Sequence, residues 1–154
     1  MLHFSYGANM HRAVMRRHAP GAVALGVATL ANHRFIITAQ GYASVEPRPA
    51  HQVYGVLWRI TPRDRAMLDI WENIAAGLYR AARLPVRHAG HAQPALTYLA
   101  RQGRIGRPKS GYMELIMAAA REWNFPAPYI TALQQWLPSE NGAPARKPGE
   151  FQWT

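Results

Sequence analysis

The stretch QVYGVLWRITPRD, residues 52–64, joins the clearest strand of the sequence to its clearest helix start. Val, Tyr, Trp and Ile in its first nine residues are typical of a β-strand that packs on a core. Thr61 then supplies an N-cap hydroxyl, Pro62 suits the first helical position, and Asp64 can bond back to the cap. The sequence therefore predicts a strand that leads directly into a helix ending at about residue 72 or 73.

Upstream of this strand, four shorter stretches have the composition of strands: residues 2–6, 22–30, 34–39 and 41–45. The Pro-rich segment EPRPAH, residues 46–51, is expected to break the chain between the last of these and the strand at 52. Between the first and second stretches, Asn9 is the expected N-cap of a helix that extends to about Arg17.

Downstream of the helix, GLYRAARLPV and QPALTYLA predict two more strands. After a basic loop, Ser110 is the expected cap of a helix over about 111–123, and PAPYITALQQWL forms a second helical stretch. Consecutive strands without crossover helices favour a mixed or antiparallel sheet over a doubly wound one. The predicted fold is α+β, a small mixed β-barrel of about six strands with flanking helices.

The chain length of 154 residues fits one domain, expected over 1–137 and followed by a polar, turn-rich tail at 138–154. Cysteine is absent, which excludes disulfides, thiolate nucleophiles and cysteine metal sites. No apolar run approaches the roughly 20 residues of a membrane span. The start MLHFSYG lacks the features of a signal peptide, so a cytoplasmic location is expected.

The formal net charge of +10 raises the possibility of a polyanionic partner. The basic residues are scattered along the chain, and no run exceeds two, whereas specific nucleic-acid binders usually concentrate their charge. Nucleic-acid binding is therefore not expected. The alternative to an enzyme is a non-catalytic basic module that binds nucleic acid or another polyanion. A metal site is not expected either, because His88 and His91 form a close pair without a third ligand at suitable spacing.

The chain has only eight carboxylates, and two of them, Asp69 and Glu72, lie three residues apart on one predicted helix. The apolar stripe of this helix consists of Met67, Leu68, Ile70, Trp71 and Ile74. On a helical projection Glu72 falls beside this stripe, and Asp69 lies nearly opposite its centre. A carboxylate at the rim of an apolar, aromatic site tends to have a raised pKa, which suits proton transfer near neutral pH. A solvated helix end is the simpler interpretation of Glu72 from these residues alone.

Three motifs, FSYGANM, VYGVLW and LDIWENIAAGLY, together resemble the gamma-glutamyl cyclotransferase family in sequence and in order. RPKSGYMELI is similar to a further segment of that family, and the resemblance covers roughly residues 2–135. It implies release of 5-oxoproline from a small gamma-glutamyl amide, without a cofactor or metal. It also implies Glu72 as the catalytic acid and base. The substrate-binding residues that it implies are His3, Phe4, Ser5, Tyr6, Gly7, Ala8, Asn9, Tyr79 and Tyr112.

The turn at Tyr6–Asn9 would present backbone N–H groups at a helix N-terminus, where they suit a carboxylate or a developing oxyanion. A plain strand-to-helix turn would have the same sequence. The family's serine is replaced here by Ala8, which is harmless if the loop acts through its backbone and alters rate or specificity if the hydroxyl contacts substrate. Asn9 is more similar to the branch acting on gamma-glutamyl amino acids or amines.

Overall fold

A computed structural model of the chain describes residues 1–138. Of the predicted tail, residues 139–154 lie outside the described residues. Within 1–138 the chain forms five strands, four α-helices and a short 3-10 helix (Ala8–Met10). In order these are β1 (Leu2–Ser5), α1 (Arg12–His18), β2 (Val23–Ile37), β3 (Ala43–Arg59), α2 (Pro62–Trp71), β4 (Tyr79–His88), β5 (His91–Ala100), α3 (Tyr112–Glu122) and α4 (Ala127–Gln134). No helix in this part of the chain combines the length and apolarity that a membrane crossing requires.

The strands form a closed barrel in the order β1-β3-β2-β4-β5. All neighbouring pairs are antiparallel except β1 and β5, which are parallel and in register at His3 and Leu96. The predicted small mixed barrel with flanking helices is therefore confirmed. Its interior and the inner face of α3 share one apolar core, in which Phe4, Leu57 and Ile116 are fully buried.

The described barrel has five strands because two pairs of predicted strands are continuous. The stretches at 22–30 and 34–39 belong to β2, and those at 41–45 and 52–60 belong to β3. The Pro-rich segment does not break β3, since Glu46 and Pro47 still pair with β2. The register shifts next to this segment: Ala31 pairs with Gln52 and His33 pairs with Pro47, so the extra residues at 48–51 belong to β3.

The helix start at Thr61 is confirmed as a capping box. Thr61 Oγ1 accepts from the Asp64 N–H at 3.1 Å, and the Asp64 carboxylate accepts from the Thr61 N–H at 2.9 Å. Asp64 also accepts from the Gly21 N–H at 2.9 Å, which ties the α1–β2 turn to this helix. The helix buries Leu68, whereas Ile70 of the predicted apolar stripe is 75% exposed.

Two other helix starts differ from prediction. The N-cap of α1 is His11 rather than Asn9, because Asn9 lies in the 3-10 helix and its side chain bonds elsewhere. The N-cap of α3 is Gly111 rather than Ser110. Gly111 adopts a left-handed φ of 79°, a conformation that glycine takes without steric strain.

Candidate active site

One pocket opens where the segment after β1 meets the C-terminal end of α2 and the start of α3. Its volume is about 160 Å³. All ten residues that the resemblance assigned to the site line it: His3, Phe4, Ser5, Tyr6, Gly7, Ala8, Asn9, Glu72, Tyr79 and Tyr112. In the sequence they lie in three separate segments: residues 3–9 in and just before FSYGANM, Glu72 and Tyr79 in LDIWENIAAGLY, and Tyr112 in RPKSGYMELI. The fold brings these segments together.

Glu72 is the C-cap residue of α2, and its backbone N–H donates to the Leu68 carbonyl at 2.8 Å. Its side chain is partly buried in the pocket wall. Burial raises the pKa of the Glu72 carboxyl to about 7, and the nearby charge of Asp69 contributes in the same direction. A carboxyl with this pKa can both accept and donate a proton near neutral pH.

Asp69 is half-buried and links α2 to the barrel. Its carboxylate accepts from the Tyr98 hydroxyl of β5 at 2.6 Å and from Arg65 Nε at 3.0 Å. The helical projection could not show this contact, because Tyr98 comes from a strand 29 residues later. Asp69 is thus held close to Glu72 as a fixed negative charge.

We expect Asp69→Asn to lower the pKa of Glu72 while keeping it above the usual glutamate range. The substitution removes a negative charge that disfavours ionised Glu72, but burial, the larger cause, remains. A ¹³C NMR titration of the Glu72 carboxyl measures the change. Glu46→Gln is the matched control, because Glu46 pairs with Arg34 on β2 and lies outside the pocket lining. An unchanged or higher Glu72 pKa in Asp69→Asn would contradict the expectation.

Three tyrosines converge on the backbone around the pocket. Tyr79 donates to the Ala43 carbonyl at 2.5 Å, and the Ala43 N–H donates to the Tyr112 hydroxyl at 3.1 Å. Tyr6 donates to the carbonyl of Tyr98. Burial raises the pKa of all three phenols above their ordinary value, so they stay neutral at physiological pH. The pocket wall therefore offers rigid, uncharged hydroxyl groups.

The loop residues Gly7 and Ala8 meet the hydroxyl of Tyr112. The Ala8 backbone hydrogen-bonds that hydroxyl, and a Cβ on Gly7 would lie 3.0 Å from it. Glycine at position 7 permits this close approach of the backbone to the tyrosine. Position 8 thus contributes to the pocket through its backbone as well as its methyl side chain.

His3 is a buried, neutral imidazole in the pocket wall, with 2% of its surface exposed. Burial lowers its pKa to about 4. Its Nδ1 lies 2.9 Å from the Leu96 carbonyl, which can only accept, so Nδ1 carries the proton. Nε2 is then a lone-pair acceptor, and it has no hydrogen-bond partner among residues 1–138.

The pocket is also lined by seven residues that the sequence analysis did not single out as site residues: His18, Tyr42, Ala43, Trp71, Asn73, Leu78 and Tyr98. Trp71 and Asn73 flank Glu72 in the sequence, so they could have been predicted to line the pocket from that position alone. His18 and Tyr98 reach the pocket only through tertiary packing. Across residues 1–138, no group of three His, Cys, Asp or Glu side chains could hold a metal ion.

Comparison with known proteins gives consistent matches. The model of the AIG2-like family matches residues 52–133. Proteins named gamma-glutamylcyclotransferase from Mus musculus and Homo sapiens are each 25% identical over an alignment of 150 positions that covers 90% of this chain and 80% of theirs. A solved gamma-glutamyl cyclotransferase structure superposes with a TM-score of 0.85 at 22% identity, covering 96% of this chain and 94% of that one. An uncharacterized protein from Homo sapiens superposes with a TM-score of 0.84 at 23% identity, covering 95% and 93%.

Proposed function

Since the chain belongs to the AIG2-like family, we propose that it is a gamma-glutamyl cyclotransferase-like enzyme. It releases 5-oxoproline and a free amine or amino acid from a gamma-glutamyl amide. The observation that carries the proposal is Glu72, a carboxyl with a pKa of about 7 in a pocket lined by the whole predicted site. The proposal includes a cytoplasmic location.

The reaction is an intramolecular acyl transfer. The substrate's α-amine attacks its own γ-carbonyl carbon, a new C–N bond closes a five-membered ring, and the C–N bond to the leaving amine breaks. Because both reactants belong to one molecule, the pocket mainly has to hold a curled conformer, and such positioning supplies roughly 7–11 kcal/mol in good cases. Glu72 accepts the proton that the α-amine loses and donates it to the leaving nitrogen. No net proton or electron is exchanged with solvent.

The rest of the pocket supports this assignment by its chemistry. The segment His3–Asn9 with Tyr79 and Tyr112 surrounds the substrate, as the resemblance implies. The unpartnered Nε2 of His3 is an acceptor suited to a substrate N–H. The phenols of the lining stay neutral, so Glu72 is the group placed to take a proton from the substrate's amine near neutral pH.

The first experiment is to measure 5-oxoproline release by mass spectrometry from a panel of substrates. The panel contains gamma-glutamyl-alanine, gamma-glutamyl-lysine, a gamma-glutamyl alkylamine and glutathione. We expect release from at least one gamma-glutamyl amino acid or amine, and the responding member identifies the leaving group. The basic binding module instead predicts no release and a nucleic-acid affinity that falls steeply with salt.

Replacing Ala8 with the serine typical of the family should change turnover within roughly threefold, about 0.6 kcal/mol of barrier. The reason is that position 8 bonds Tyr112 through its backbone, which the substitution leaves in place. Tyr112→Phe is the contrasting variant, because it removes the hydroxyl that accepts from the Ala43 N–H. Leaving a buried donor unpaired typically costs about 1–3 kcal/mol. A large gain in kcat for Ala8→Ser would show instead that the hydroxyl itself contacts substrate.

A further inference from the structure

We propose that His18 is a positioning residue for Glu72. Through its Nδ1–H, it holds the Asn9 amide in the one orientation that directs an N–H toward the Glu72 carboxylate. The inference rests on the proposed function only in taking Glu72 as the catalytic base. It assigns a role to α1, an element outside the motifs of the family resemblance.

The three side chains form a continuous chain of contacts from α1 to the end of α2. His18 Nδ1 lies 2.8 Å from Asn9 Oδ1, and Asn9 Nδ2 lies 3.5 Å from Glu72 Oε1. His18 and Asn9 are both buried, and all three line the pocket. The second contact is long, so its main effect is on the direction of the carboxylate rather than on binding energy.

The protonation state of each group in the chain follows from hydrogen-bond chemistry. An ionised carboxylate only accepts, so the amide must turn its NH₂ toward Glu72 and its oxygen toward His18. That oxygen also only accepts, so His18 Nδ1 must carry the proton. Burial lowers the pKa of His18 to about 4, with Arg17 acting in the same direction, so the ring is neutral and Nε2 is unprotonated.

A purely structural role does not account for a histidine here. The ring stacks on Trp71 with centroids 3.9 Å apart and planes at 21°, and phenylalanine could stack in the same way. Histidine additionally leaves Nε2 buried without a hydrogen-bond partner among residues 1–138, with 6% of the residue exposed. An unpaired buried polar atom is unfavourable. What histidine offers over phenylalanine is the Nδ1–H donated to Asn9.

This arrangement gives the two oxygens of Glu72 different tasks. Asn9 Nδ2 faces Oε1 at 3.5 Å, which leaves Oε2 to accept the proton of the substrate's amine. The other titratable or charged groups around Glu72 and His18 are Asp69, Tyr6, Tyr79, Tyr98, Tyr112 and Arg17. Of these, Asp69 repels the ionised carboxylate, and the four phenols remain neutral. The Asn9 amide is therefore the polar donor that orients Glu72 directly.

The first test uses the unmodified protein and does not depend on activity. Long-range ¹⁵N–¹H NMR spectra distinguish the two neutral tautomers of His18. We expect protonated Nδ1 and unprotonated Nε2 at neutral pH. A protonated Nε2 with an unprotonated Nδ1 overturns the proposal, because His18 could not then donate to Asn9. This result stands whether or not the proposed reaction is found.

The second test compares His18→Phe, which keeps the stacking on Trp71, with His18→Gln, whose amide can still donate. We expect kcat to fall by up to about 100-fold in His18→Phe, as for other misplaced catalytic groups, with little change in KM. The pKa of Glu72, read from its ¹³C titration, should rise as the carboxylate loses the amide donor. His18→Gln should recover most of the loss. In an Asn9→Ala background, His18→Phe should have no further effect.

His51→Phe is the matched control, because His51 is exposed and lies outside the pocket lining. Wild-type kcat and an unchanged Glu72 titration in a folded His18→Phe protein would overturn the proposal. So would equal losses in His18→Gln and His18→Phe. Failure of the proposed function itself appears separately, as no 5-oxoproline release by the wild-type protein from any member of the substrate panel.

Discussion

Glu72→Gln should fold normally and lose 5-oxoproline release by about 100- to 10,000-fold, the usual contribution of a general acid or base. Glutamine keeps the size of the side chain and can still meet Asn9, but it cannot take the proton from the α-amine. The loss should appear in kcat rather than KM, because substrate positioning depends on the other walls of the pocket. Mass-spectrometric quantification of 5-oxoproline over a range of substrate concentrations separates the two.

The same variant should be more stable than wild type at alkaline pH. The pKa of Glu72 is raised in the folded protein, so its protonated form stabilises the fold below about pH 4.5, and that contribution is lost as pH rises through about 7. Glutamine has no such dependence. The melting temperature of Glu72→Gln relative to wild type should therefore increase from acid to alkaline pH and level off above the folded pKa.

Glu122→Gln is the control for both effects, since Glu122 is an exposed residue of α3 paired with Arg12 on the surface. Exposed pairs of this kind contribute little, so activity and the pH dependence of stability should match wild type. Full turnover by Glu72→Gln on a substrate that the wild type cleaves would remove Glu72 from the mechanism. A melting-temperature difference that does not vary with pH would contradict the raised pKa.

Gly55→Ala should destabilise the protein by on the order of 3 kcal/mol, the upper part of the range for overpacking a core. A Cβ on this residue would lie 2.3 Å from the carbonyl oxygen of Ser5 and 2.4 Å from the ring of Phe4. One of these contacts is with backbone, so rotation of a side chain cannot relieve it. Strands β1 and β3 would have to separate where they enter the pocket.

Urea unfolding followed by circular dichroism measures this loss as a lower midpoint with an unchanged slope. Gly103→Ala is the matched control, because a Cβ there meets nothing within 4 Å. A wild-type midpoint for Gly55→Ala would show that the barrel yields at this contact. Activity should fall together with stability in Gly55→Ala, since Phe4 and Ser5 also line the pocket.

The parts of the fold that were predictable from sequence depend on local chemistry. The capping box at Thr61 needs only residues three apart, and the strand at 52–60 needs only its own composition. Asn9 was misassigned as a cap because its side-chain partners, His18 and Glu72, are 9 and 63 residues away. The continuity of β3 through Pro47 was equally hidden, because the pairing of Pro47 with His33 of β2 overrides the local tendency of proline to end a strand.

The candidate site also contains residues that the sequence predicts and residues that only the tertiary structure reveals. Its motif residues were found through the family resemblance, and all of them line one pocket. The residues that were missed, such as Tyr98 and His18, have ordinary sequence surroundings, and only the closed barrel and the packing of α1 against α2 bring them to the site. Glu72 stood out in the sequence because carboxylates are few, but its raised pKa depends on burial that no local pattern encodes.

The parallel pairing of β1 with β5, the seam that closes the barrel, decides whether the pocket exists at all. The contacts across it join residues more than ninety positions apart, from His3 to Leu96 and from Tyr6 to Tyr98. Closing so long a loop has an entropic cost that neighbouring hairpins do not share, so we expect these contacts to form after the hairpins. The hairpin of β4 and β5 can form on local contacts alone, but the pocket cannot exist before the seam closes. A partly folded chain would thus contain strands but no pocket, and it would become active only when β1 pairs with β5.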